Sequence, residues 1–333
     1  MRNAADGRHV PVLLEESIAA LALRDGGVYV DGTFGRGGHA RAILRELGSH
    51  GRLVAIDRDP AAESAAQVID DRRFMFRRAW LSEITQVLDA LGVAHVDGAL
   101  LDLGVSSPQL DDAARGFSFR FDAPLDMRMD PTRGETAAEF VARASIGELT
   151  EVIRDYGEER FAQSVARAIA KAREIAPIAT TRRLATVVAQ AVGARTRGDW
   201  HQDPAARTFQ ALRIFVNREL SELSEGLPAI VPLLARGARL AVISFHSLED
   251  RIAKRFLARA SRPFAGDPAT ARLAIRSDAL PAAPLTLVGR AIKPGASEIA
   301  RNPRSRSAVL RVAERTADAM PAGWPRGYVE SAP

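Results

Sequence analysis

The 333-residue chain contains no cysteine. Disulfides, thiolate metal sites and a cysteine nucleophile are thereby excluded together. Its six histidines are scattered without a metal-binding spacing, so no metal is implied. No run approaches the ~20 apolar residues of a membrane span. The polar stretch from Met1 to His9 also lacks the apolar segment of a signal peptide. The expectation is a cytoplasmic protein without a membrane partner. Lysine is nearly absent: of 46 basic residues only Lys171, Lys254 and Lys293 are lysine, and the rest are arginine. An arginine-biased genome accounts for such a composition, yet arginine's planar fork also suits phosphates and base edges. A net charge of +5 permits a phosphate-rich partner without requiring one.

With 47% apolar and 26% charged residues, the chain can bury an ordinary globular core. Its length exceeds one average domain, so two domains, or one carrying an insertion, are expected. The most informative stretch runs Val28-Tyr29-Val30-Asp31-Gly32-Thr33-Phe34-Gly35-Arg36-Gly37-Gly38-His39. An apolar run ends at an acid, glycines crowd the next residues, and a helix-compatible run from Ala40 to Leu47 follows. That reads as strand, tight turn and helix, a form that lets backbone N–H groups approach a nucleotide.

The pattern repeats. An amphipathic helix over His9 to Leu23 precedes the stretch. Leu53 to Asp57 is a second acid-ended strand, and Pro60 opens a helix to about Asp70. Arg73 to Arg77 gives a third strand, Ser82 caps a helix to Leu91, and Val96 to Leu101 is a fourth strand ending at Asp102. Strands alternating with helices predict a parallel sheet, with Asp31, Asp57 and Asp102 along its ligand-binding edge. The rhythm then stops. Leu103 to Asp130 reads as a long ordered loop, and 136–194 as an all-helical block. One amphipathic helix spans Thr208 to Leu223, and Arg239 to Ile243 resumes the strands. Ser247 and Asp250 have capping-box spacing for a helix to about Ala260. A mobile connection over 261–284 is expected, then strands over 285–290 and 307–314, and a disordered tail after about Thr316.

The glycines fall at Gly32, Gly35, Gly37 and Gly38, which is not the G-x-G-x-x-G spacing of a dinucleotide fold. An acid ending strand one, Gly35-Arg36-Gly37, and Asp57 ending strand two suit S-adenosylmethionine better. A late strand pair also suits a methyltransferase sheet, whose last strand inserts antiparallel.

Beyond these patterns, the segments DGTFGRGGHA, AIDRDP, LLDLGVSSPQLDDAARGFSF, PLDMRMDP, YGEERFA, RTFQALRIFVNREL, ISFHSLEDR and NPRSRSAVLR resemble the MraW family of 16S ribosomal RNA cytosine-N4 methyltransferases, from His9 to about Arg315. The resemblance implies an α/β fold, a Rossmann-like class I S-adenosylmethionine-dependent methyltransferase sheet with an inserted all-helical domain. The sheet domain would comprise 1–110 and 208–315, and the substrate-recognition insertion 111–207. It implies cofactor contacts from Gly37, Gly38, His39, Asp57, Leu81, Asp102 and Gln109, with Trp80 competing with Leu81 to cover the adenine. The implied partner is 16S ribosomal RNA, in the small subunit or an assembly intermediate; a homodimer is compatible with it.

Cytosine N4 is a poor nucleophile because its lone pair is delocalised into the ring, so acceptors must hold the amino hydrogens. Ser106-Ser107-Pro108-Gln109 sits where DNA amino-methyltransferases carry a Pro-Pro-aromatic motif, and lacks the second proline and the aromatic. Asp102 and Ser107 are the candidate catalytic pair. Phe117, Phe119, Trp200 and Phe245 are candidates to stack on the base. His246, Arg304 and Arg306 are candidate substrate contacts, with Arg143, Arg167, Arg182, Arg183, Arg195 and Arg197 in the insertion as further phosphate ligands. A non-catalytic RNA assembly factor would have no chemical need for Asp102 and the SSPQ loop, and the glycine spacing disfavours a dinucleotide oxidoreductase.

Overall fold

A computed structural model of the chain describes residues 11–196, 203–262, 283–316, 320–321, 323–326 and 328. The connection expected over 261–284 lies mostly outside them, as do Arg197 and Trp200. Two compact units emerge, 1–104 with 220–332, and 105–219.

The first unit begins with α1 (Leu14–Leu21), β1 (Val28–Asp31), α2 (Gly38–Glu46), β2 (Arg52–Asp57) and α3 (Pro60–Gln67). It continues with β3 (Phe74–Arg78), α4 (Ile84–Ala90) and β4 (Val96–Asp102). Each strand falls where an apolar run meets an acid or an arginine. Asp59 caps α3 by accepting from the Ala61 N–H, with Pro60 at the first helical position. Before α4 the chain makes a 3₁₀ turn over Leu81–Glu83. Glu83 accepts from the Trp80 N–H there, so Ser82 is inside the turn and is not its cap.

The second unit holds α5 (Ser107–Asp111), α6 (Ala137–Arg143), α7 (Ile146–Gly157), α8 (Ala162–Ile175), α9 (Thr181–Thr196) and α10 (Ala206–Val216). The Thr136 and Ser145 hydroxyls each cap a helix by accepting from the Glu139 and Glu148 N–H groups, and their own N–H groups donate back to the carboxylates of those glutamates. The apolar faces of these helices share one core, including Phe140, Ile153, Val165, Ile169, Val188 and Leu212. The helix predicted over 208–223 is two helices. Buried Asn217 breaks it, because its amide accepts from Met129 N–H (2.6 Å) and donates to the Met127 carbonyl (2.7 Å), and Arg218 turns the chain at φ +49°. Helix α10 therefore packs within the helical unit, whose limits fall at 105 and 219 where the resemblance implies 111 and 207.

The first unit resumes with α11 (Glu219–Ile230), β5 (Leu234–Ser244), α12 (Ser247–Ser261), β6 (Leu285–Leu287), α13 (Ala296–Arg301) and β7 (Val309–Arg315). The seven strands form one sheet in the order β3-β2-β1-β4-β5-β7-β6. The first five are parallel, and β7 enters antiparallel between β5 and β6. Alternation along the strands divides the core in two. Val30, Val54, Ile56, Leu101 and Val242 face one layer; Tyr29, Leu53, Ala55, Leu100 and Ile243 face the other. Beyond Thr316, Trp324 is ordered: its ring meets Phe256 edge-on at 5.9 Å and its Nε1 donates to the Pro228 carbonyl. An aromatic side chain with a satisfied N–H holds this part of the tail on the core.

Candidate active site

The strand order reverses between β1 and β4. A crevice opens at such a reversal, outside the carboxyl ends of the parallel strands, because the connections leave toward opposite faces. Asp31 ends β1 and Asp102 ends β4, so these acids flank it, with Asp57 one strand further out.

The glycine turn is fastened to this edge. Gly32 N–H donates to the Leu100 carbonyl (2.8 Å) and Phe34 N–H to that of Ile56 (3.0 Å), which ties the turn to both neighbouring strands. Gly37 has φ +74°, and a Cβ there would stand 2.6 Å from the Phe34 ring; one at Gly38 would overlap Pro11. Glycine is required at both positions. They open α2, whose first N–H groups are free of intrahelical partners.

Asp57 joins the turn to the loop after β2: Oδ2 accepts from Gly35 N–H (2.7 Å) and Oδ1 from Asp59 N–H (2.9 Å). Each oxygen retains a lone pair for a ligand hydroxyl. Burial raises the Asp57 carboxyl above its ordinary value, against the pull of the two N–H groups.

Asp31 is only 1% exposed. Its Oδ1 accepts from Thr33 N–H (3.2 Å), and its Oδ2 has no hydrogen-bond partner among the described residues. Burial pushes its pKa up to about 7; His39 and the Thr33 N–H oppose this, while the charges of Asp102 and Asp57 add to it. Asp102 donates its N–H to the Thr33 hydroxyl and sets Oδ2 3.4 Å from His39 Nδ1, while its Oδ1 is buried without a partner among the described residues. Thr33 thus braces both acids. The acid-x-Thr spacing of an Asx turn is the signal for it, and the motif reading passes it over.

Two buried carboxyl oxygens left unpartnered on adjacent strand ends are costly unless a positive or hydrogen-donating ligand meets them. S-adenosylmethionine offers a sulfonium and an ammonium group, and ribose hydroxyls for Asp57, so the donor set fits it. The anionic pyrophosphate of a dinucleotide would instead face carboxylates.

Leu81 packs against α11, where a Cβ at Gly226 would overlap it. Trp80 lies under the Arg58 guanidinium, 4.9 Å from its ring centre, and its buried Nε1 has no partner among the described residues. Of the two, Trp80 presents an aromatic face and an unused donor.

Ser107 and Gln109 belong to the second unit. Ser107 is the first residue of α5, and its side chain lies outside the described residues. Buried Gln109 accepts from Ser106 N–H through Oε1 (2.8 Å), bracing the SSPQ turn, as S-x-x-Q spacing allows.

His246 is the N-cap of α12. Its Nδ1 accepts from Glu249 N–H (3.4 Å), and its Nε2 stands 3.2 Å from Glu249 Oε1. Glu249, 2% exposed, also accepts from Phe245 N–H (2.8 Å). The expected Ser247–Asp250 box does not form, because Asp250 takes a bidentate pair from Arg311 (2.8 and 3.0 Å). Sequence reasoning misses Glu249, whose position three residues after the capping histidine is the available signal.

Arg304 and Arg306 are exposed on a 3₁₀ turn after α13. In the second unit Arg143 pairs with Glu135 and Glu148, and Arg183 donates to the Ala172 and Ala176 carbonyls, so these two serve the helices. Arg167 and Arg182 are exposed. The Arg195 side chain lies outside the described residues. Phe117 is buried, Phe119 meets Phe209 edge-on at 5.0 Å, and Phe245 packs on the sheet core.

A family model described as the MraW methylase family matches residues 6–316. A protein of Azoarcus sp. strain BH72 named Ribosomal RNA small subunit methyltransferase H is 60% identical over 312 residues, covering 94% of this chain and 98% of the relative. Its namesake from Thiobacillus denitrificans is 60% identical over 311 residues, with 93% and 98% covered. The one from Neisseria gonorrhoeae strain NCCP11945 is 56% identical over 323 residues, with 96% and 100% covered.

Proposed function

The chain belongs to the MraW methylase family, and on that premise we propose that it is an S-adenosylmethionine-dependent methyltransferase of small-subunit ribosomal RNA, acting on the N4 amino group of one cytidine in 16S ribosomal RNA. The observation that carries the chemistry is the pair of unpartnered buried oxygens, Asp31 Oδ2 and Asp102 Oδ1, on the two strands flanking the sheet reversal. The names of the relatives and the quoted motifs support the substrate.

When bound, S-adenosylmethionine supplies an electrophilic methyl group for in-line transfer to the amine. The protein's task is then placement and electrostatics. Asp57 accepts from the ribose hydroxyls, and Gly37, Gly38 and the backbone of His39 admit the methionine end. Asp31 receives the ammonium group. Trp80 or Leu81 covers the adenine, and Gln109 shapes the loop. Asp102 turns Oδ1 toward the cofactor's sulfonium, and from that place it and Ser107 hold the amino hydrogens of the cytosine, turning its lone pair toward the methyl group; Ser107 is assigned from its place in the SSPQ loop. Exposed Arg304 and Arg306 bind RNA phosphates, and His246 is a further substrate contact. The setting is the cytoplasm, the substrate form is the small subunit or an assembly intermediate, and a homodimer is compatible with the arrangement. Among the described residues no helix is long and apolar enough to cross a membrane.

Purified protein, methyl-labelled S-adenosylmethionine and small subunits from cells lacking the enzyme test the reading. Label on a single 16S cytidine, mapped to N4 by mass spectrometry, is the expected result. No label on small-subunit RNA in any form overturns it.

A further inference from the structure

His39 lies in the first turn of α2 yet is 5% exposed, and its side chain faces the protein. Its Nε2 stands 3.2 Å from the carbonyl of Val12 in the N-terminal segment, and its Nδ1 stands 3.4 Å from Asp102 Oδ2 at the end of β4. Asp31 at the end of β1 is the other charged group that acts on the ring. A neutral imidazole has one N–H and would turn a lone pair toward one of these oxygens. An imidazolium donates to both.

The segment carrying Val12 is itself held in place. Pro11 packs where a side chain on Gly38 would stand, Leu13 N–H donates to Glu298 Oε1 (2.8 Å), and Leu13 takes φ +52°, a conformation L side chains rarely adopt. Three successive residues are therefore fixed against the cofactor turn and α13. A carbonyl held this firmly is a rigid anchor for the far side of the ring.

We propose that His39 is a positioning residue for methyl transfer: its imidazolium, anchored on the Val12 carbonyl, holds the Asp102 carboxylate in the crevice so that Oδ1 stays turned toward the cofactor's positive centre. This rests on reading the crevice as the S-adenosylmethionine site. Burial disfavours the charge on His39, but the Asp102 hydrogen bond and the charges of Asp102 and Asp31 outweigh it, so the ring is more basic than an ordinary histidine. The consequence is that the His39 side chain contributes to cofactor affinity only through Asp102.

A double-mutant cycle separates this from a merely structural role. S-adenosylmethionine affinity is measured by calorimetry for the wild type, His39→Leu, Asp102→Asn and the double variant. Each single variant is expected to bind roughly tenfold more weakly, the scale of one hydrogen bond to a charged group. The double variant should be no weaker than Asp102→Asn alone. His39→Gln, which offers one amide donor but no charge, should lose about threefold, and it replaces His39→Leu in the cycle if that variant does not fold. Additive losses, or wild-type affinity in His39→Gln, overturn the proposal while leaving the cofactor site standing. Absence of binding by the wild type overturns the site itself.

Discussion

Replacing Asp31 by asparagine should stabilise the protein by an amount that grows as the pH rises from about 4 to about 7. The carboxyl is 1% exposed and its pKa is pushed up from 3.8 to about 7. In the unfolded chain it releases its proton near the ordinary value, so between about pH 4 and pH 7 the unfolded state binds fewer protons than the folded one. Stability therefore falls as pH rises through that window, and the loss is complete above about pH 7. A shift of about three pH units corresponds to at most about 4 kcal/mol. Asparagine keeps the shape and can still accept from Thr33 N–H, but does not titrate. Thermal melting of both proteins without cofactor, at about pH 4 and about pH 8, measures the difference. The curves should nearly coincide at the lower pH and separate by several degrees at the higher, with Asp31→Asn the more stable. S-adenosylmethionine should reverse the order at pH 8, because its ammonium group gives the ionised carboxylate a partner. Parallel pH profiles for the two proteins would refute the assignment of Asp31 as a buried acid poised for a cation.

Two further outcomes follow from the geometry. Asp57→Ala should weaken S-adenosylmethionine binding by roughly tenfold to a hundredfold, the scale of losing charge-assisted bonds to the ribose, whereas Asp57→Asn should lose less because one oxygen remains to brace Gly35; equal calorimetric affinities across the three proteins would remove Asp57 from the site. Asn217→Ala removes the buried amide bonds to the Met129 N–H and the Met127 carbonyl and should cost about 3 kcal/mol, read as faster proteolysis of the 105–219 unit, and a cost below about 0.5 kcal/mol would contradict the bracing role.

The parallel half of the sheet is legible because its evidence is local and repeated: an apolar run, an acid, a turn, a helix. Asp31, Asp57 and Asp102 can be placed on one edge without coordinates, since parallel strands put all their carboxyl ends on the same side. The break at Asn217 is not legible. Apolar residues continue at helical spacing through both α10 and α11, and only the pairing of Asn217 with a loop some 90 positions earlier reveals the interruption. The cap of α12 is misread for a similar reason. Ser247 has the better intrinsic preference, but Asp250 is drawn off by Arg311 on a strand 61 residues away. The hold of Val12 on His39 spans 27 positions and involves a backbone carbonyl, which no motif encodes. Long-range partners decide each of these sites, and residue identity at the site itself does not name them.

The antiparallel entry of β7 between β5 and β6 has a consequence for synthesis. Strand β5 ends at Ser244, and its outer neighbour starts only at Val309. While a ribosome makes the intervening stretch, β5 presents a row of unpaired backbone groups, the kind of open edge that recruits other strands. Strand β6 emerges first and waits for its partner, because among the described residues its ladder is to β7. Closure of the sheet is thus postponed until Val309 to Arg315 have been made, and a chain released before Val309 carries the cofactor crevice together with an adhesive flank. Termination between Ser244 and Val309 should therefore yield aggregates sooner than a soluble, half-active enzyme.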